Sequence, residues 1–311
     1  MNNKKQIWEK LGIIIKPSFT SKWMASHVAV PFAEHLNKNI FKVYFCVRDK
    51  KNRSHVTYSI IDLKKLDATN KIHQNPILKP GNLGTFDDNG VTPSWIIKHN
   101  KKKFLFYVGW NTGGNTRMSL FAGLAKYHKN KFKRVIDSPI LERNKFDPFL
   151  TATSCVLKDK GKFRMWYVSG DSWSIKNNET FPKYNIKYAE SKDCINWERR
   201  GRVCIDYKSK HEFALARPSI LKYKNKYLLW YSYKSFNKEY KIGFADSKNG
   251  YDWKRQDEKI NFSPKKNYKW ENEMQTYPHV FKHKNELYML YNGNGYGKTG
   301  VALAKLKNFN Q

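Results

Sequence analysis

A run of apolar residues that ends in tyrosine occurs five times along this 311-residue chain. The intervals between the terminal tyrosines are 63, 60, 64 and 60 residues, so the runs divide the chain into units of about 60 residues. Aromatic and β-branched residues dominate these short runs, which is typical of β-strands. The five predicted strands are Phe41–Tyr44, Phe104–Tyr107, Phe163–Tyr167, Tyr227–Tyr231 and Leu287–Tyr291.

Each repeated strand has similar neighbours along the chain. In most units an apolar strand, often opened by proline, precedes it across a polar turn such as Lys158–Gly161, which predicts a hairpin. A strand with small residues follows, and then a fourth strand. The fourth strand follows a polar turn, and its two examples Ser191–Arg199 and Ser247–Arg255 are near copies. No segment of ten or more residues has helical spacing.

These repeats predict an all-β protein, a five-bladed β-propeller with four-stranded antiparallel blades. The predicted single domain spans residues 1–311, with blades that start near residues 26, 88, 150, 214 and 274. A pair of β-sandwiches is the alternative, but sandwiches do not repeat their sequence.

The cysteines and the N-terminus bear on cellular location. Cys46, Cys155, Cys194 and Cys204 have no paired spacing, which is typical of thiols in a reducing compartment. The apolar stretch near the N-terminus is too short for a signal peptide, and no stretch approaches a membrane span. We therefore predict a cytoplasmic protein.

Composition indicates the chemistry of the partners. The chain has 59 basic and 26 acidic residues and a net charge of +33. Such a basic protein attracts anionic partners, here an anionic carbohydrate, a sugar phosphate or a nucleotide sugar, and peripheral contact with an anionic membrane surface is compatible with it. The aromatic residues lie within strands and do not interleave with the basic runs, so nucleic acid is not a predicted partner.

The inner strands of a propeller begin around one central channel, so residues just before them converge. Although acids are scarce, they occur at four of these five positions, among them Asp87, Asp88, Glu271 and Glu273. Two carboxylates across a channel suit glycosidic bond cleavage, with one protonating the leaving oxygen and the other activating water or stabilising the positive sugar ring.

The chain resembles the five-bladed superfamily of glycoside hydrolase families 43, 32, 68, 62 and 130. The resemblance covers about residues 20 to 306 and rests on the five units, the proline-opened inner strands, and the segments Ala189–Trp197 and Ala245–Trp253. Segments Gly84–Ser94 and Glu273–Pro278 resemble uncharacterised bacterial members that are associated with surface-polysaccharide synthesis. The resemblance implies a carbohydrate-active enzyme.

Two departures from these families stand out. Families 43 and 32 have an Asp-Pro in the first blade, where this chain has Ser26–Pro31 with His27 as the only titratable group. Those families also place a glutamate shortly before the proline of a later blade, where this chain has Ala216-Arg217-Pro218. The usual acid pair is therefore not carried over to this sequence.

Candidate residues follow from position instead. The predicted catalytic residues are Asp87, Asp88, Glu273 and His27. The predicted substrate-binding residues are Arg48, Asp49, Asp171, Arg217, Glu271, Tyr277 and Trp173. Structural alternatives are a turn cap for the Asp87-Asp88 pair and an ion pair for Asp49. No metal ligands or cofactor are predicted.

Two function classes remain open. The first is an enzyme that cleaves or transfers a glycosidic or anomeric-phosphate bond of an anionic sugar, in bacterial surface-polysaccharide metabolism. Within this class, cations at the channel favour a phosphorylase or a glycosyltransferase with a phosphorylated donor over simple activation of water. The second is a non-catalytic propeller that binds a glycan.

Overall fold

The computed structural model describes residues 5–18, 21–66 and 71–307. Regular structure in these residues is almost entirely β, which confirms the all-β prediction. The exceptions are a short 3₁₀ helix at Asp257–Lys259 and a four-residue helical turn at Asn294–Gly297. Within the described part of the chain, no helix is long and apolar enough to cross a bilayer.

The strands follow each other as antiparallel hairpins in five successive units. The first unit has three strands: β2 (Ser26–Asn37), β3 (Ile40–Arg48) and β4 (Ser54–Asp62). The second has four strands: β5 (Val91–His99), β6 (Lys102–Asn111), β7 (Ser119–His128) and β8 (Lys131–Arg134).

The third and fourth units share an eight-stranded sheet, which a bridge between Tyr184 and Ala214 makes continuous. The third unit contains β9 (Thr151–Asp159), β10 (Lys162–Lys176), β11 (Glu179–Ser191) and β12 (Glu198–Ile205). The fourth contains β13 (Glu212–Tyr223), β14 (Lys226–Ser235), β15 (Lys241–Ser247) and β16 (Lys254–Arg255).

The fifth unit joins the two ends of the chain. Its sheet contains β18 (Thr276–His283), β19 (Glu286–Asn292), β20 (Val301–Leu306), β1 (Gln6–Ile15) and β17 (Ile260–Asn261). Strand β1 runs antiparallel to β20, with Trp8 opposite Leu306, and parallel to β17. Pairing of the first strand with the last links the two chain ends without a covalent bond.

The sheet composition bears on the predicted four-stranded blades. The second unit forms a four-stranded sheet, whereas the sheet of the first unit has three strands. In the first unit, the place of a fourth strand beside β4 is taken by isolated bridges to Ile72 and Leu78. Five successive units are thus present, and their arrangement as five equivalent four-stranded blades stays a prediction.

The repeated strands of the sequence are the second strands of the units and form the core. In β14, residues 227–232 are all buried, so both faces of this strand are covered. Neighbouring units pack on these faces: Trp8 contacts the ring of Trp230 edge-on at 6.1 Å between centroids. Consecutive large apolar residues are therefore retained because water reaches neither face.

The first strand of every unit is interrupted by a bulge or irregularity near its proline or the equivalent serine. The pairing register shifts between Ala29 and Phe32 in β2, and comparable shifts occur in β5, β9, β13 and β18. Val30, Arg217 and Tyr277 have φ values of 56°, 54° and 56° at these positions. Bulges change the direction of a side chain, and here they lie beside the central cavity described below.

Candidate functional site

A cavity of about 440 Å³ lies where the five units meet. Its walls come from the first strands, from neighbouring strands and from connecting loops. The polar and aromatic residues of the lining include Arg48, Thr92, Trp110, Arg117, Thr153, Tyr184, Tyr240, Tyr277 and Tyr296. A cavity of this size can accommodate a small sugar or a sugar phosphate.

The cavity lining is cationic and rich in hydroxyl groups. Among the described residues that line it there is no aspartate or glutamate. Arg48 donates a hydrogen bond of 3.0 Å to Asn52 Oδ1, and no described carboxylate lies within ion-pairing distance of the Arg48 or Arg117 guanidinium. Two guanidinium groups without internal anions are suited to an anionic ligand.

The residue before the proline, or before the equivalent serine, occupies the same place in each first strand. These five residues are Val30, Thr92, Thr153, Arg217 and Tyr277. All except Arg217 line the cavity. Four of the five equivalent positions thus line the cavity, and the side chains at these places carry no carboxylate.

The buried acids of the sequence have another arrangement. In every unit, the repeated tyrosine donates a hydrogen bond to a carboxylate that is also paired with a cation. The tyrosine–carboxylate pairs are Tyr44–Glu34, Tyr107–Asp87, Tyr167–Asp147, Tyr231–Asp257 and Tyr291–Glu271, with O–O distances between 2.5 and 2.9 Å. The cations are Lys103, Arg134, Arg199, Arg255 and Lys10, in the same order.

Most of these cations come from the outer strand of their unit. Arg134, Arg199 and Arg255 lie in β8, β12 and β16, and Lys10 lies in β1, the neighbour of β20. Each such carboxylate thus connects a middle strand to an outer strand. In the fourth unit, burial opposes ionisation of Asp257, but Arg255 and the Tyr231 hydroxyl hold the pKa of this carboxyl below its usual range.

This arrangement reassigns two predicted site residues. Asp87 is fully buried, and its Oδ2 lies 2.6 Å from Arg134 Nη2. Glu271 is also fully buried, between Tyr291, Gln275 and Lys10. Neither residue lines the cavity, and all of their partners are structural. This geometry gives both carboxylates a role in stabilising their units, and a catalytic or binding role for them stays a prediction.

The other predicted acids also lie outside the cavity lining. Asp88 accepts a hydrogen bond of 2.9 Å from the Gly84 backbone N–H, so it caps the turn as the structural alternative proposed. Glu273 is exposed. Asp171 accepts hydrogen bonds from Ser172 and Tyr207. Asp49 is buried and pairs with Arg53 and His55, which supports its structural alternative.

His27 lies next to the cavity but not on its wall. It is buried, has a φ of 59°, and its Nδ1 lies 2.8 Å from Ser26 Oγ. Burial, together with the positive charges of Arg48 and Lys298, lowers its pKa from 6.5 to about 4. His27 is therefore neutral at physiological pH, and a proton-transfer role for it stays a prediction.

Arg217 lies in the interior of the protein and joins four units. Its Nη1 and Nη2 donate to the carbonyl oxygens of Ser94 and Pro31, at 2.5 and 2.8 Å. Its backbone N–H donates to Thr153 Oγ1 at 3.1 Å. Because the side chain is fully buried, its pKa falls from 12.5 to about 10. Backbone carbonyls thus engage both Nη atoms of Arg217, and its predicted direct contact with a ligand stays a prediction.

Three predicted binding residues do lie at or beside the cavity. Arg48 and Tyr277 line it. Trp173 packs against an apolar cluster that includes Val108 and Leu150, which themselves line the cavity. The structure thus brings these residues together and separates them from the predicted acids.

Four cavity residues were not predicted as site residues from the sequence. Arg117, in the loop between β6 and β7, lies at the cavity because its backbone N–H donates to Thr180 of the third unit at 2.9 Å. Tyr184 and Tyr240 come from different units, and their hydroxyl oxygens are 2.5 Å apart. Tyr296 lies in a glycine-rich loop whose sequence predicts an ordinary turn. Two further cavity residues, Thr92 and Thr153, were not predicted as site residues either, although their places directly before Pro93 and Ser154 gave a positional signal.

The described residues contain no cluster of three or more histidine, cysteine, aspartate or glutamate side chains able to hold a metal ion.

The fold of the chain is that of the glycoside hydrolase propeller group. A solved glycoside hydrolase has a TM-score of 0.76 over 99% of this chain and 94% of its own, at 19% identity. A structure from the GH130 family of mannoside phosphorylases, reported to contain glycoside hydrolases that target β-1,2 mannosidic linkages in Candida mannan, has a TM-score of 0.73. It covers 97% of this chain and 94% of its own at 15% identity.

Sequence comparison places the chain within a family. It belongs to the same family as the uncharacterised protein Rv1502 of Mycobacterium tuberculosis, with 36% identity over 97% of this chain and 99% of the relative. The 1,2-β-oligomannan phosphorylase of a Thermoanaerobacter species is 30% identical over 40% of this chain and 44% of its own. No family model matches the chain.

Proposed function

We propose that the protein is a carbohydrate-active enzyme of phosphorylase type, in which phosphate binds at Arg48 and Arg117. The observation that carries this proposal is a cavity lined by two guanidinium groups that have no internal carboxylate partner, with no carboxylate in the described lining. A hydrolase of this fold needs a carboxylate pair at the substrate. A phosphorylase needs cations for the attacking phosphate.

The cations have a direct chemical role in this reaction. Guanidinium groups bind phosphate oxygens through paired N–H donors and remain charged at any relevant pH. In the cavity they hold the phosphate against the anomeric carbon, and in the reverse direction they stabilise phosphate as it leaves. The same site serves a glycosyltransferase that uses a sugar phosphate as donor. Trp110 and Tyr277 supply apolar surface for a sugar ring.

The relatives support this choice among the reactions of the fold. One relative over part of the chain is named as a 1,2-β-oligomannan phosphorylase, and the GH130 structure belongs to a family of mannoside phosphorylases. We take β-1,2-linked mannosides as the first substrates to test. An anionic substrate is the natural extension, because the net charge of the chain is +33.

The number of blades, the cellular location and the metabolic role belong to the same proposal. We take the five units as the blades of a five-bladed propeller, with the cavity on its axis, because residues of all five units line it. A cytoplasmic location and a role in surface-polysaccharide metabolism stay predictions; all four cysteines are unpaired and buried, as expected in a reducing compartment.

The test combines phosphate binding with turnover. Purified protein is titrated with inorganic phosphate and then incubated with phosphate and 1,2-β-oligomannan, while ³¹P NMR follows line broadening and sugar phosphate formation. Arg48→Gln and Arg117→Gln are compared with Arg202→Gln. The control removes an equal charge from the surface, where Arg202 pairs with the exposed Asp252.

We expect the two cavity variants to weaken phosphate binding by about tenfold or more, since a charge-assisted hydrogen bond contributes about 1.5–3 kcal/mol. Arg202→Gln should bind phosphate as the wild type does. Equal weakening in all three variants would mean that phosphate responds to net charge alone, which would overturn the proposed site.

A non-catalytic glycan-binding propeller is the second candidate. The absence of a carboxylate from the described cavity lining favours it, since a binding protein needs no proton donor. Mannoside binding that depends on Arg48, without sugar phosphate formation under any condition tested, would support this second function.

A further inference from the structure

The glycine-rich loop after β19 is rigidly constructed. Asn292 is fully buried, donates to the Val28 and Gly300 carbonyls, and accepts from the Val30 N–H. Asn294 Oδ1 accepts hydrogen bonds from the backbone N–H groups of Glu273 and Met274. This loop is therefore held to the first unit and to the chain before β18.

Close packing requires glycine at two places in this loop. A Cβ atom at position 293 would lie 2.0 Å from the Trp270 carbonyl oxygen. At position 297 it would lie 2.6 Å from the Val28 carbonyl oxygen. Contacts this short with backbone atoms are not relieved by side-chain rotation, so the loop has little freedom to move.

This rigid loop presents Tyr296 to the cavity in an uncommon conformation. Gly295 and Tyr296 have φ values of 63° and 58°, and Tyr296 lines the cavity. A left-handed conformation costs a non-glycine residue about 1–3 kcal/mol and persists where the surrounding structure enforces it. Such strain is concentrated at functional positions, which makes this tyrosine a candidate for one.

The phenol of Tyr296 has a lysine partner. Lys234 Nζ, in β14, donates a hydrogen bond of 3.1 Å to Tyr296 Oη. The same ammonium group lies 5.7 Å from the Tyr296 ring centroid and 5.5 Å from that of Tyr240. Because the phenol oxygen accepts this bond, its own O–H remains free to donate to a group in the cavity.

Several other polar groups lie around Tyr296 and Lys234, and some of them already have hydrogen-bond partners. Tyr184 and Tyr240 hydrogen-bond each other, and burial raises the pKa of both. Burial also raises the pKa of Tyr277, which lies near Arg48. Glu239 accepts a bond of 3.0 Å from Lys234 and is itself 47% exposed. Arg117 lies near Tyr184, and Lys298 and His27 lie near Gly295.

We propose that Tyr296 is the proton-transfer residue of this cavity and that Lys234 is its positioning partner. The inference rests on the proposed phosphorylase function. That function needs a proton donor, and the described cavity lining contains no carboxylic acid. The Tyr296 phenol donates its proton to the glycosidic oxygen as the bond from that oxygen to the anomeric carbon breaks. A phosphate oxygen forms the new bond to that carbon.

The step balances without a further reactant. Hydrogen phosphate enters as HPO₄²⁻ and leaves as the sugar phosphate dianion, so the proton that phosphate loses restores the Tyr296 phenol. The Lys234 ammonium stabilises the intervening phenolate through the existing hydrogen bond. In the reverse direction, the phenolate accepts the proton of the acceptor hydroxyl.

Tyr296→Phe separates this role from substrate binding. We expect phosphate binding, measured by ³¹P line broadening, to stay within about twofold of wild type. We expect kcat for phosphorolysis of 1,2-β-oligomannan to fall about 10²- to 10⁴-fold, the usual contribution of a general acid. Tyr127→Phe is the matched control, because Lys103 lies 5.0 Å from the Tyr127 ring and Tyr127 does not line the cavity.

Lys234 is tested by the pH profile and by conservative replacement. Lys234→Gln should lower kcat and change the alkaline limb of the pH profile of kcat. Lys234→Arg should keep most of the wild-type kcat and most of the wild-type pH profile. Full activity in Tyr296→Phe, with activity lost in Arg48→Gln, would overturn this inference and leave the phosphorylase proposal intact. Absence of wild-type turnover with phosphate and glycan would overturn both.

Discussion

The Tyr107 hydroxyl donates a hydrogen bond of 2.9 Å to Asp87 Oδ2, and this buried carboxylate also pairs with the partly buried Arg134. Burial and the neighbouring carboxylate raise the pKa of Tyr107 well above its usual value, so the phenol remains a donor at any relevant pH. Each of the other four units contains the equivalent hydrogen bond from a tyrosine to a carboxylate. It explains why a chain poor in acids keeps one next to each repeated strand.

Replacing Asp87 should affect stability before it affects chemistry. Asp87→Asn leaves the Arg134 charge without its anion, and we expect a loss of about 3 kcal/mol in the free energy of unfolding. Tyr107→Phe should lose about 1.5 kcal/mol, the lower end for a hydrogen bond to a charged group. Urea denaturation measures both values.

The exposed Asp137 provides the control, and Asp137→Asn should change stability by less than about 0.5 kcal/mol. An Asp87→Asn protein with wild-type stability and no activity would contradict the structural role. Such a result would restore the catalytic role that sequence position predicted.

Arg217 should act as a structural link between the four units that it joins. Arg217→Leu removes the donors to the Ser94 and Pro31 carbonyls, which are left without these donors inside the protein. Since an unsatisfied buried polar group costs about 1–3 kcal/mol, we expect a loss of about 2 kcal/mol or more in the free energy of unfolding.

Thermal and urea unfolding of Arg217→Leu measure this loss, with Arg200→Leu as the control. The Arg200 side chain is 80% exposed and pairs only with Glu198 among the described residues. If both variants unfolded like the wild type, the bonds of Arg217 to the backbone would have no structural importance.

His27 should make stability depend on pH. The pKa of histidine is about 6.5 in an unfolded chain, whereas burial and two nearby cations lower that of His27 to about 4 in the folded protein. Between these values the unfolded state binds more protons. The free energy of unfolding should therefore fall as the pH decreases from about 6.5 to about 4.

His27→Asn should reduce this fall, since asparagine tolerates the left-handed φ of 59° and does not titrate. Chemical denaturation at pH 7 and pH 5 measures the effect, and exposed His211→Asn is the comparison. The same pH dependence in wild type and His27→Asn would show that His27 is not the group responsible.

The loop that carries Tyr296 should not tolerate a methyl group at position 293. Gly293→Ala places a Cβ atom 2.0 Å from the Trp270 carbonyl oxygen, and relieving this overlap should cost about 1–3 kcal/mol of stability. Thermal unfolding measures the loss. Gly114→Ala is the matched control, because a Cβ there meets nothing within 4 Å. Equal melting temperatures for the two variants would contradict the rigid packing of this loop.

The sequence by itself determined the strands and their repetition. Runs such as Tyr227–Tyr231 predict strands because consecutive large apolar residues are visible in the sequence itself. In the structure both faces of this strand are buried. Because every unit repeats its first strand, the sequence also directed attention to the residues before these strands, of which Tyr277, before Pro278, lines the cavity.

Only the tertiary structure decided which polar side chains meet in the cavity. Asp87 and Thr92 are five positions apart, yet Asp87 turns inward to Tyr107 and Thr92 lines the cavity. Arg117 and Tyr296 reach the cavity through loops held by hydrogen bonds to Thr180 and to the Val28 carbonyl, which belong to other units. Such placement depends on bulges and on contacts between distant units, which leave no periodic signal in the chain.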